Sequence, residues 1–120
     1  MQYMLILNET AADFADRSDP ARADDYWAGW NAFIGAMSAA GIVVNGDGLL
    51  PPETATTVRI RDGEQIVEDG PFADSKEQLA GYFVIEVDDL DAALAWAAQA
   101  PSAATASVEI RPVMPPPNAA

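Results

Sequence analysis

The hydrophobic pattern along the chain has a period of two in some segments and of three to four in others. A nearly continuous apolar run from Tyr3 to Leu7 predicts a strand that is central in a sheet or covered on both faces. The segment 79–87 alternates and predicts a second long strand, with an apolar face formed by Leu79, Gly81, Phe83, Ile85 and Val87. Its other face is expected to carry Tyr82, Val84 and Glu86. Shorter strands are predicted at 42–44 and 107–111.

Two helices are predicted between these strands. Ser18-Asp19-Pro20 is typical of a helix start, and Gly41 suits the end of that helix. Between them lies a stripe at helical spacing, formed by Tyr26, Trp30, Phe33, Met37 and Ala40 and widened by Trp27 and Ile34. A second helix is expected to start among Asp88, Asp89 and Asp91, to bury Leu90, Ala93, Leu94 and Ala97, and to end at Pro101. Segments 8–17, 45–48 and 101–106 are predicted to be loops or strand breaks.

A hairpin is predicted in the middle of the chain. Segment 56–61 alternates, Asp62-Gly63 is a strong two-residue turn signal, and segment 65–68 returns as the partner strand. Asp69-Gly70-Pro71 then predicts a tight turn in which Gly70 takes a positive φ. The element order is β-α-β, a hairpin insertion, then β-α-β. That order predicts an α+β, ferredoxin-like split βαβ fold, with an antiparallel sheet and two helices on one face.

Composition bounds the function classes. The chain has 120 residues, which favours one domain over 1–113 followed by a Pro-rich tail at 114–120. Nineteen acidic residues against six basic ones give a net charge of −13, which argues against nucleic acid and anionic membrane surfaces as partners. There is no Cys and no His, so thiolate chemistry and imidazole chemistry are excluded. The N-terminus does not match a signal peptide, and a cytoplasmic location is expected.

Candidate site residues cluster around the Asp69 turn. Asp69 is either a turn cap or a proton-transfer group, and Lys76 is either a surface lysine or a ligand for an anion. Arg59 and Arg61 share one face of a strand, where they either clamp a carboxylate or phosphate or pair with the many acids. Pocket walls are expected from the aromatic residues Trp30, Phe72 and Tyr82, for which core packing is the alternative. No metal-binding spacing and no phosphate-binding loop occur, so no metal and no cofactor are expected.

The segment Asp69-Gly-Pro-Phe72, followed by Lys76-Glu-Gln-Leu79 and Gly81-Tyr82, resembles the DGPF subgroup of the YCII-related family. The resemblance extends to 55–59, 89–94 and 108–113 and covers most of the chain. It implies a dimeric α+β barrel in which two copies of the sheet pack together, and it suggests a link to sigma-factor regulation. Some members carry a His–Asp pair proposed as catalytic. That pair has no counterpart here, because this sequence lacks histidine.

Three functions follow as hypotheses. The first is a homodimer that binds a small anionic or aromatic molecule in a pocket near the Asp69 turn. The second is a cofactor-free enzyme, an isomerase or monooxygenase acting on a small cyclic substrate, in which Asp69, Tyr82 or Arg59 assists. The third is a protein–protein interaction module. A buried, pKa-shifted group facing a cavity would favour the enzyme, and a flat apolar patch without a cavity would favour the interaction module.

Overall fold

A computed structural model describes residues 1–117 of the chain. In chain order the elements are β1 (Gln2–Thr10), α1 (Ala11–Asp16), α2 (Ala23–Ala39), β2 (Val43–Gly48), a 3₁₀ turn (Pro52–Thr54), β3 (Thr56–Arg61), β4 (Glu64–Asp69), β5 (Glu77–Glu86), α3 (Leu90–Ala97), α4 (Pro101–Thr105) and β6 (Ser107–Pro112). The predicted tail falls partly outside this range, because 118–120 are not described. None of the helices in 1–117 is both long and apolar enough to cross a membrane.

Four strands form the main sheet in the order β2-β5-β1-β6, and each neighbouring pair is antiparallel. This is the predicted ferredoxin-like α+β arrangement, and the prediction is confirmed. Odd-numbered residues of β1 point toward the helices and are buried, whereas the even-numbered ones are partly buried or, at Gln2, exposed. The core therefore lies on one face, where Leu5, Ile85, Phe33, Met37 and Ala93 pack between the sheet and the helices. The opposite face of the sheet has no covering layer among residues 1–117.

The predicted loop at 8–17 is wrong. β1 continues to Thr10, and a short helix follows at once because Thr10 forms a capping box with Asp13. The Asp13 amide donates to the Thr10 hydroxyl at 3.2 Å, and the Thr10 amide donates to the Asp13 carboxylate at 2.9 Å. These two bonds satisfy amide groups that a helix start leaves without partners.

The predicted break at 45–48 is also wrong, since this glycine-rich segment belongs to β2. Gly46 pairs with Phe83 of β5, and a Cβ atom at Gly46 would meet the Phe83 ring. Gly81 on β5 is equally constrained, because its Cβ would lie 2.8 Å from the carbonyl oxygen of Asp47. Here glycine is a requirement of close strand packing rather than a signal for a turn.

The predicted face of β5 is wrong at one residue. Gly81 pairs with Leu7 but Leu79 pairs with Asn8, so the register shifts between them. Because Asn8 lies on the uncovered side of β1, Leu79 lies on that side too and is 46% exposed. Phe83 and Ile85 keep the predicted side, facing the helices. A bulge reverses side-chain direction for every residue beyond it, and hydrophobic alternation alone does not reveal it.

Helix boundaries differ from the sequence prediction at two places. The Ser18-Asp19-Pro20 signal lies in a turn, in which the Asp19 carboxylate accepts from the Ala21 amide at 2.8 Å, and α2 begins only at Ala23. Of its predicted stripe, Trp30, Phe33 and Met37 are buried, Tyr26 is partly buried and Ala40 is exposed. Gly41 ends the helix with φ 71°, as predicted.

The second helix is capped by Asp89, whose carboxylate accepts from the Ala92 amide at 2.9 Å. Its buried positions are Ala93 and Ala97, whereas Leu90 and Leu94 are about half exposed, contrary to the prediction. Pro101 does not end this helix. It occupies the first turn of α4, where proline is favoured because its missing N–H has no partner to lose.

The predicted hairpin is present as a separate two-stranded sheet of β3 and β4, which we call the arm (residues 56–69). Its turn residues Asp62 and Gly63 have φ values of 52° and 78°, the geometry that such two-residue turns require. Gly70 follows with φ 103°, as the turn prediction required.

Candidate functional site

A cavity of about 330 Å³ lies between α2 and the helix-facing side of the sheet. We call it the main cavity. Its walls are mostly apolar and aromatic, and its lining residues are Leu7, Glu9, Arg17, Tyr26, Trp27, Trp30, Ile34, Asp47, Gly48, Leu49, Leu50, Ala80, Gly81 and Phe83. The volume suits a molecule of about one ring, at the lower end of ordinary ligand sites.

One wall of the main cavity holds a buried polar cluster formed by Glu9, Arg17 and Tyr26. The Arg17 guanidinium and the Glu9 carboxylate meet at 2.8 Å, with 14% and 2% of their side chains exposed. The Tyr26 hydroxyl lies 2.9 and 2.8 Å from the two carboxylate oxygens of Glu9, to which it donates. It also accepts from Nε of Arg17 at 3.0 Å. The three side chains thus form a closed hydrogen-bonded triangle.

Further contacts fix the Arg17 side chain. It donates to the backbone carbonyl oxygens of Leu49 and Ala80, and its guanidinium lies 4.7 Å from the centre of the Phe14 ring. The Trp27 indole in turn donates to the backbone carbonyl of Arg17 at 3.1 Å. A guanidinium held by carboxylate, phenol, carbonyls and an aromatic face keeps its position when a ligand enters.

The cluster shifts the acidity of two of its members. Burial, together with the hydrogen bond to Glu9, raises the pKa of Tyr26 to about 12. Burial lowers the pKa of Arg17, but the hydrogen bonds to Glu9 and Tyr26 outweigh it, so the pKa lies above its ordinary value. At neutral pH the wall therefore presents a neutral phenol that donates to the carboxylate, and a guanidinium that stays charged.

This arrangement can orient a small molecule in an apolar space. An aromatic or cyclic body would pack on Trp27, Trp30 and Phe83, while a hydroxyl or carbonyl group would meet the Glu9–Tyr26 edge. A buried carboxylate beside a cavity is also the kind of group that accepts a proton from a bound hydroxyl. No set of three acidic side chains within 1–117 is grouped so that it could hold a metal ion.

The predicted pocket walls do not meet in one space. Trp30 lines the main cavity, whereas Phe72 lines a second hollow beside the Asp69 turn, of about 560 Å³, which we call the turn groove. Tyr82 lies on the uncovered side of the sheet, where its hydroxyl donates to the Asp47 carboxylate at 2.8 Å. This bond raises the pKa of Tyr82 although the hydroxyl is exposed. The expectation that these three aromatic residues wall a single pocket is wrong for one subunit.

The charged candidates lie on or next to the arm. Arg59 sits 5.0 Å above the centre of the Phe72 ring, and Arg59 and Arg61 share one face of β3 as predicted. Within residues 1–117 neither arginine forms an ion pair, and neither does Lys76, which is exposed. These residues are near the turn groove rather than the main cavity, and their binding roles stay predictions.

Asp69 ends β4 and is exposed. As a turn cap its carboxylate would accept from the amide two residues on, but that residue is Pro71, which has no N–H, so the turn-cap prediction is wrong. The turn is held instead by backbone contacts: the Gly70 amide donates to the Ala55 carbonyl at 2.7 Å, and the Thr57 hydroxyl donates to the Gly70 carbonyl at 2.8 Å.

Glu9, Arg17 and Tyr26 were not among the sequence candidates for the site. Glu9 and Arg17 lie in the segment 8–17 that the sequence predicts to be a loop, and Tyr26 lies in the predicted helical stripe. One signal was available: Thr10 and Asp13 have the spacing of a helix-capping box. Extending β1 to that cap would have placed Glu9 in alternation with Leu5 and Leu7, on the buried side.

The comparisons with known proteins define the family. The YCII-related domain matches residues 1–116, so the chain belongs to the YCII-related family. An uncharacterised protein of Rhizobium meliloti (strain 1021) is 46% identical over 67 residues, which is 54% of this chain and 54% of that protein. The matched part thus spans about half the length of this curated relative.

A solved structure supports the fold. It is 5-chloro-2-hydroxyhydroquinone dehydrochlorinase from Burkholderia phenoliruptrix AC1100, in complex with 2,5-dihydroxybenzoquinone. The two chains superpose with a TM-score of 0.57 over 95% of this chain and 94% of the other, at 13% sequence identity. At that identity the likeness concerns the fold.

Proposed function

We propose that the protein binds a small molecule with an aromatic or cyclic body in the main cavity. The observation that carries this proposal is the Glu9–Arg17–Tyr26 cluster, which puts a buried carboxylate and phenol at the wall of an otherwise apolar space. A structural role for the cluster alone would not need a cavity beside it. Small-molecule sites typically have a few polar groups that converge on an apolar hollow.

The ligand class follows from the cluster. Glu9 is an acceptor and already receives hydrogen bonds from Arg17 and Tyr26, so its remaining lone pairs suit a ligand hydroxyl. A phenol, an enol or a hydroxylated quinone would meet this requirement. The ligand of the dehydrochlorinase structure, 2,5-dihydroxybenzoquinone, is therefore a reasonable first probe together with simple phenols.

Isothermal titration calorimetry with these probes tests the proposal. Ile34→Ala trims the cavity wall and should raise the dissociation constant about fivefold, as expected for losing roughly 1 kcal/mol of apolar contact. Leu94→Ala is the control, because Leu94 is half exposed and outside the cavity. Binding that is equally affected by both variants, or by neither, contradicts the main cavity as the site.

The enzyme alternative uses the same cavity. Here Glu9 would accept a proton from a bound hydroxyl while Arg17 stabilises the charge that develops, instead of the Asp69, Tyr82 or Arg59 that the sequence suggested. What supports it is the buried carboxylate beside the cavity, together with a neighbour of this fold that is a dehydrochlorinase. Consumption of a substrate by the parent chain, with loss of turnover but retained probe binding in Glu9→Gln well below that variant's unfolding temperature, separates catalysis from binding.

Membership of the DGPF subgroup and assembly as a homodimer belong to the same proposal. The subgroup rests on Asp69–Phe72 and the motifs around it. The homodimer is supported by the uncovered sheet face, where Met4 and Ile6 of β1 pair with Val84 and Tyr82 of β5 and form an apolar centre. A link to sigma-factor regulation and a role as an interaction module rest on the family resemblance and the exposed apolar patches respectively. Sedimentation velocity measures the subunit number directly.

A further inference from the structure

The arm extends from the rest of the subunit with almost no support. β3 and β4 pair with each other over six residue pairs, from Thr56–Asp69 to Arg61–Glu64, and join no third strand. No helix of residues 1–117 has more than marginal contact with them. A two-stranded hairpin in water is marginally stable by itself and needs a third strand or an apolar surface against one face.

The two faces of the arm differ in chemistry. One side carries Val58, Ile60 and Val67, which are 60%, 60% and 54% exposed, with the uncharged Gln65 beside them. We call the part formed by these four residues the uncharged face. Asp69 lies on the same side at the base of the arm, opposite Thr56. The other face carries the charged residues Arg59, Arg61, Glu64 and Glu68 around Ile66. A stripe of exposed valine and isoleucine on one side only is typical of a strand pair that packs against something on that side.

The same chain offers a surface of matching character. The uncovered sheet face has an uncharged centre formed by Met4, Ile6, Tyr82 and Val84, and Leu79 extends it. Its charged residues surround this centre: Asp47, Glu109 and Arg111 lie on the outer strands, and Glu77 and Glu86 lie at the two ends of β5. Because each copy carries a net charge of −13, two copies pack most closely where uncharged areas meet, and the centre of the sheet face and the uncharged face of the arm are two such areas.

The area that a stable dimer buries also favours a contribution from the arm. Four strands about 4.8 Å apart and six residues long give a sheet face of roughly 400 Å². Stable dimers bury about 600–1,000 Å² per partner. One face of the arm adds roughly 200 Å² to each subunit, so the sheet face and the arm together give roughly 600 Å² per partner. The sheet face alone falls well short of this requirement.

We propose that the uncharged face of the arm packs against the sheet face of a second copy, reciprocally about a two-fold axis. This rests on the homodimer proposed above and adds to it the element that holds the two copies together. Val58, Ile60 and Val67 would then be buried in the dimer, and each arm would gain the apolar support that its own subunit does not provide.

Neighbouring residues on opposite faces give a matched test. Val67→Glu puts a charge on the uncharged face and should raise the dimer dissociation constant at least tenfold by sedimentation equilibrium. Ile66→Glu puts the same charge on the other face, opposite Arg59, and should leave it within about twofold. Circular dichroism confirms that both variants keep the sheet. Equal dimer constants for Val67→Glu and the parent chain overturn the role of the arm.

A second measurement does not depend on weakening the dimer. Because the chain has no cysteine, Val58→Cys combined with Ile6→Cys creates the only two thiols. Oxidation should join two copies covalently, whereas Arg61→Cys with Ile6→Cys should not. If Ile6→Glu dissociates the dimer while neither arm experiment has an effect, the sheet-face dimer stands and the arm inference fails. A parent chain that is monomeric at every concentration overturns both.

Discussion

Glu9 and Arg17 are eight residues apart in sequence and meet in a buried ion pair of 2.8 Å. Glu9 is on the helix-facing side of β1 near its end, and Arg17 follows directly after α1. The short helix therefore folds the chain back so that the guanidinium covers the carboxylate. Tyr26 of α2 closes the triangle. One cluster therefore links β1, the end of α1 and α2, and forms a wall of the main cavity.

Breaking this pair from one side is expected to cost far more than removing both partners. Arg17→Met leaves the Glu9 carboxylate buried without its cation, and the free energy of unfolding should fall by about 3 kcal/mol. In Glu9→Leu/Arg17→Met no buried charge is left, so the double variant should be more stable than the sum of the single changes predicts. Urea unfolding of the parent chain and the three variants measures this coupling.

The exposed pair of Arg111 and Glu109 is the control for these Glu9 and Arg17 variants. Its charged atoms are 3.7 Å apart, with side chains 71% and 57% exposed, so Arg111→Met should change stability by less than about 0.5 kcal/mol. Strict additivity of the Glu9 and Arg17 changes would show that the two charges do not depend on each other.

The Tyr26 phenol predicts a loss of stability in alkali. Its pKa is about 12 in the folded chain and about 10 when unfolded, so folding favours the protonated form. The stabilisation is complete below about pH 10 and is lost as the pH rises toward about 12, because the unfolded chain releases its proton first. Tyr26→Phe removes this contribution, so its unfolding free energy should decline less over that range.

Urea unfolding at a series of alkaline pH values, with phenolate absorbance as a direct probe, checks this behaviour. Tyr82→Phe is the control. The bond to Asp47 raises the pKa of Tyr82, but the hydroxyl is exposed and water screens that bond. The Tyr82→Phe variant should therefore keep most of the alkaline loss of stability. A Tyr26→Phe curve parallel to that of the parent chain would rule out the buried phenol as the cause.

The parts of the fold that could be predicted are those that short stretches of sequence determine. The helical stripe of Trp30, Phe33 and Met37 and the Asp62-Gly63 turn specify their elements locally, and the order of elements then limits the topology to very few arrangements. The arm was predicted for the same reason. Its turn needs two positive φ values, and Asp and Gly are among the residues that adopt them readily.

The polar cluster could not be predicted, because it depends on where distant segments end. Glu9 reads as a loop residue as long as β1 is assumed to stop at its last apolar position. Its burial follows only when the strand reaches the Thr10 cap and α1 returns Arg17 to it. The glycines of β2 and the bulge near Leu79 could not be predicted for the same reason. Both are determined by packing and register against the neighbouring strand, which the local sequence does not show.

Gly46 is predicted to tolerate no side chain, in contrast to Gly48 two residues later. A Cβ atom at Gly46 would meet the Phe83 ring and lie 2.7 Å from the carbonyl oxygen of Tyr82, whereas one at Gly48 has nothing within 4 Å. Gly46→Ala should therefore lower the unfolding free energy by about 1–3 kcal/mol, the usual cost of overpacking. Gly48→Ala should be close to neutral. Urea unfolding compares them, and similar values for both would mean that the Phe83 ring moves aside freely.

The capping box of α1 should affect both stability and ligand binding. Asp13 accepts from the Thr10 amide and, at 2.9 Å, from the Thr105 hydroxyl, so Asp13→Ala removes the cap and the link to α4 at once. We expect a loss of about 2 kcal/mol, and about 1 kcal/mol for Thr10→Ala. Asp16→Ala, at the other end of the helix, should stay within about 0.5 kcal/mol.

The same three variants separate a support role from a contact role. α1 sets the position of Arg17, so loosening its first turn should weaken binding of a phenolic probe in Asp13→Ala, although Asp13 does not line the main cavity. Calorimetric titration well below the unfolding temperature of each variant measures this effect. A destabilised Asp13→Ala that binds the probe as tightly as Asp16→Ala would show that Arg17 keeps its place without the cap, and that the triangle with Glu9 and Tyr26 is sufficient to hold it.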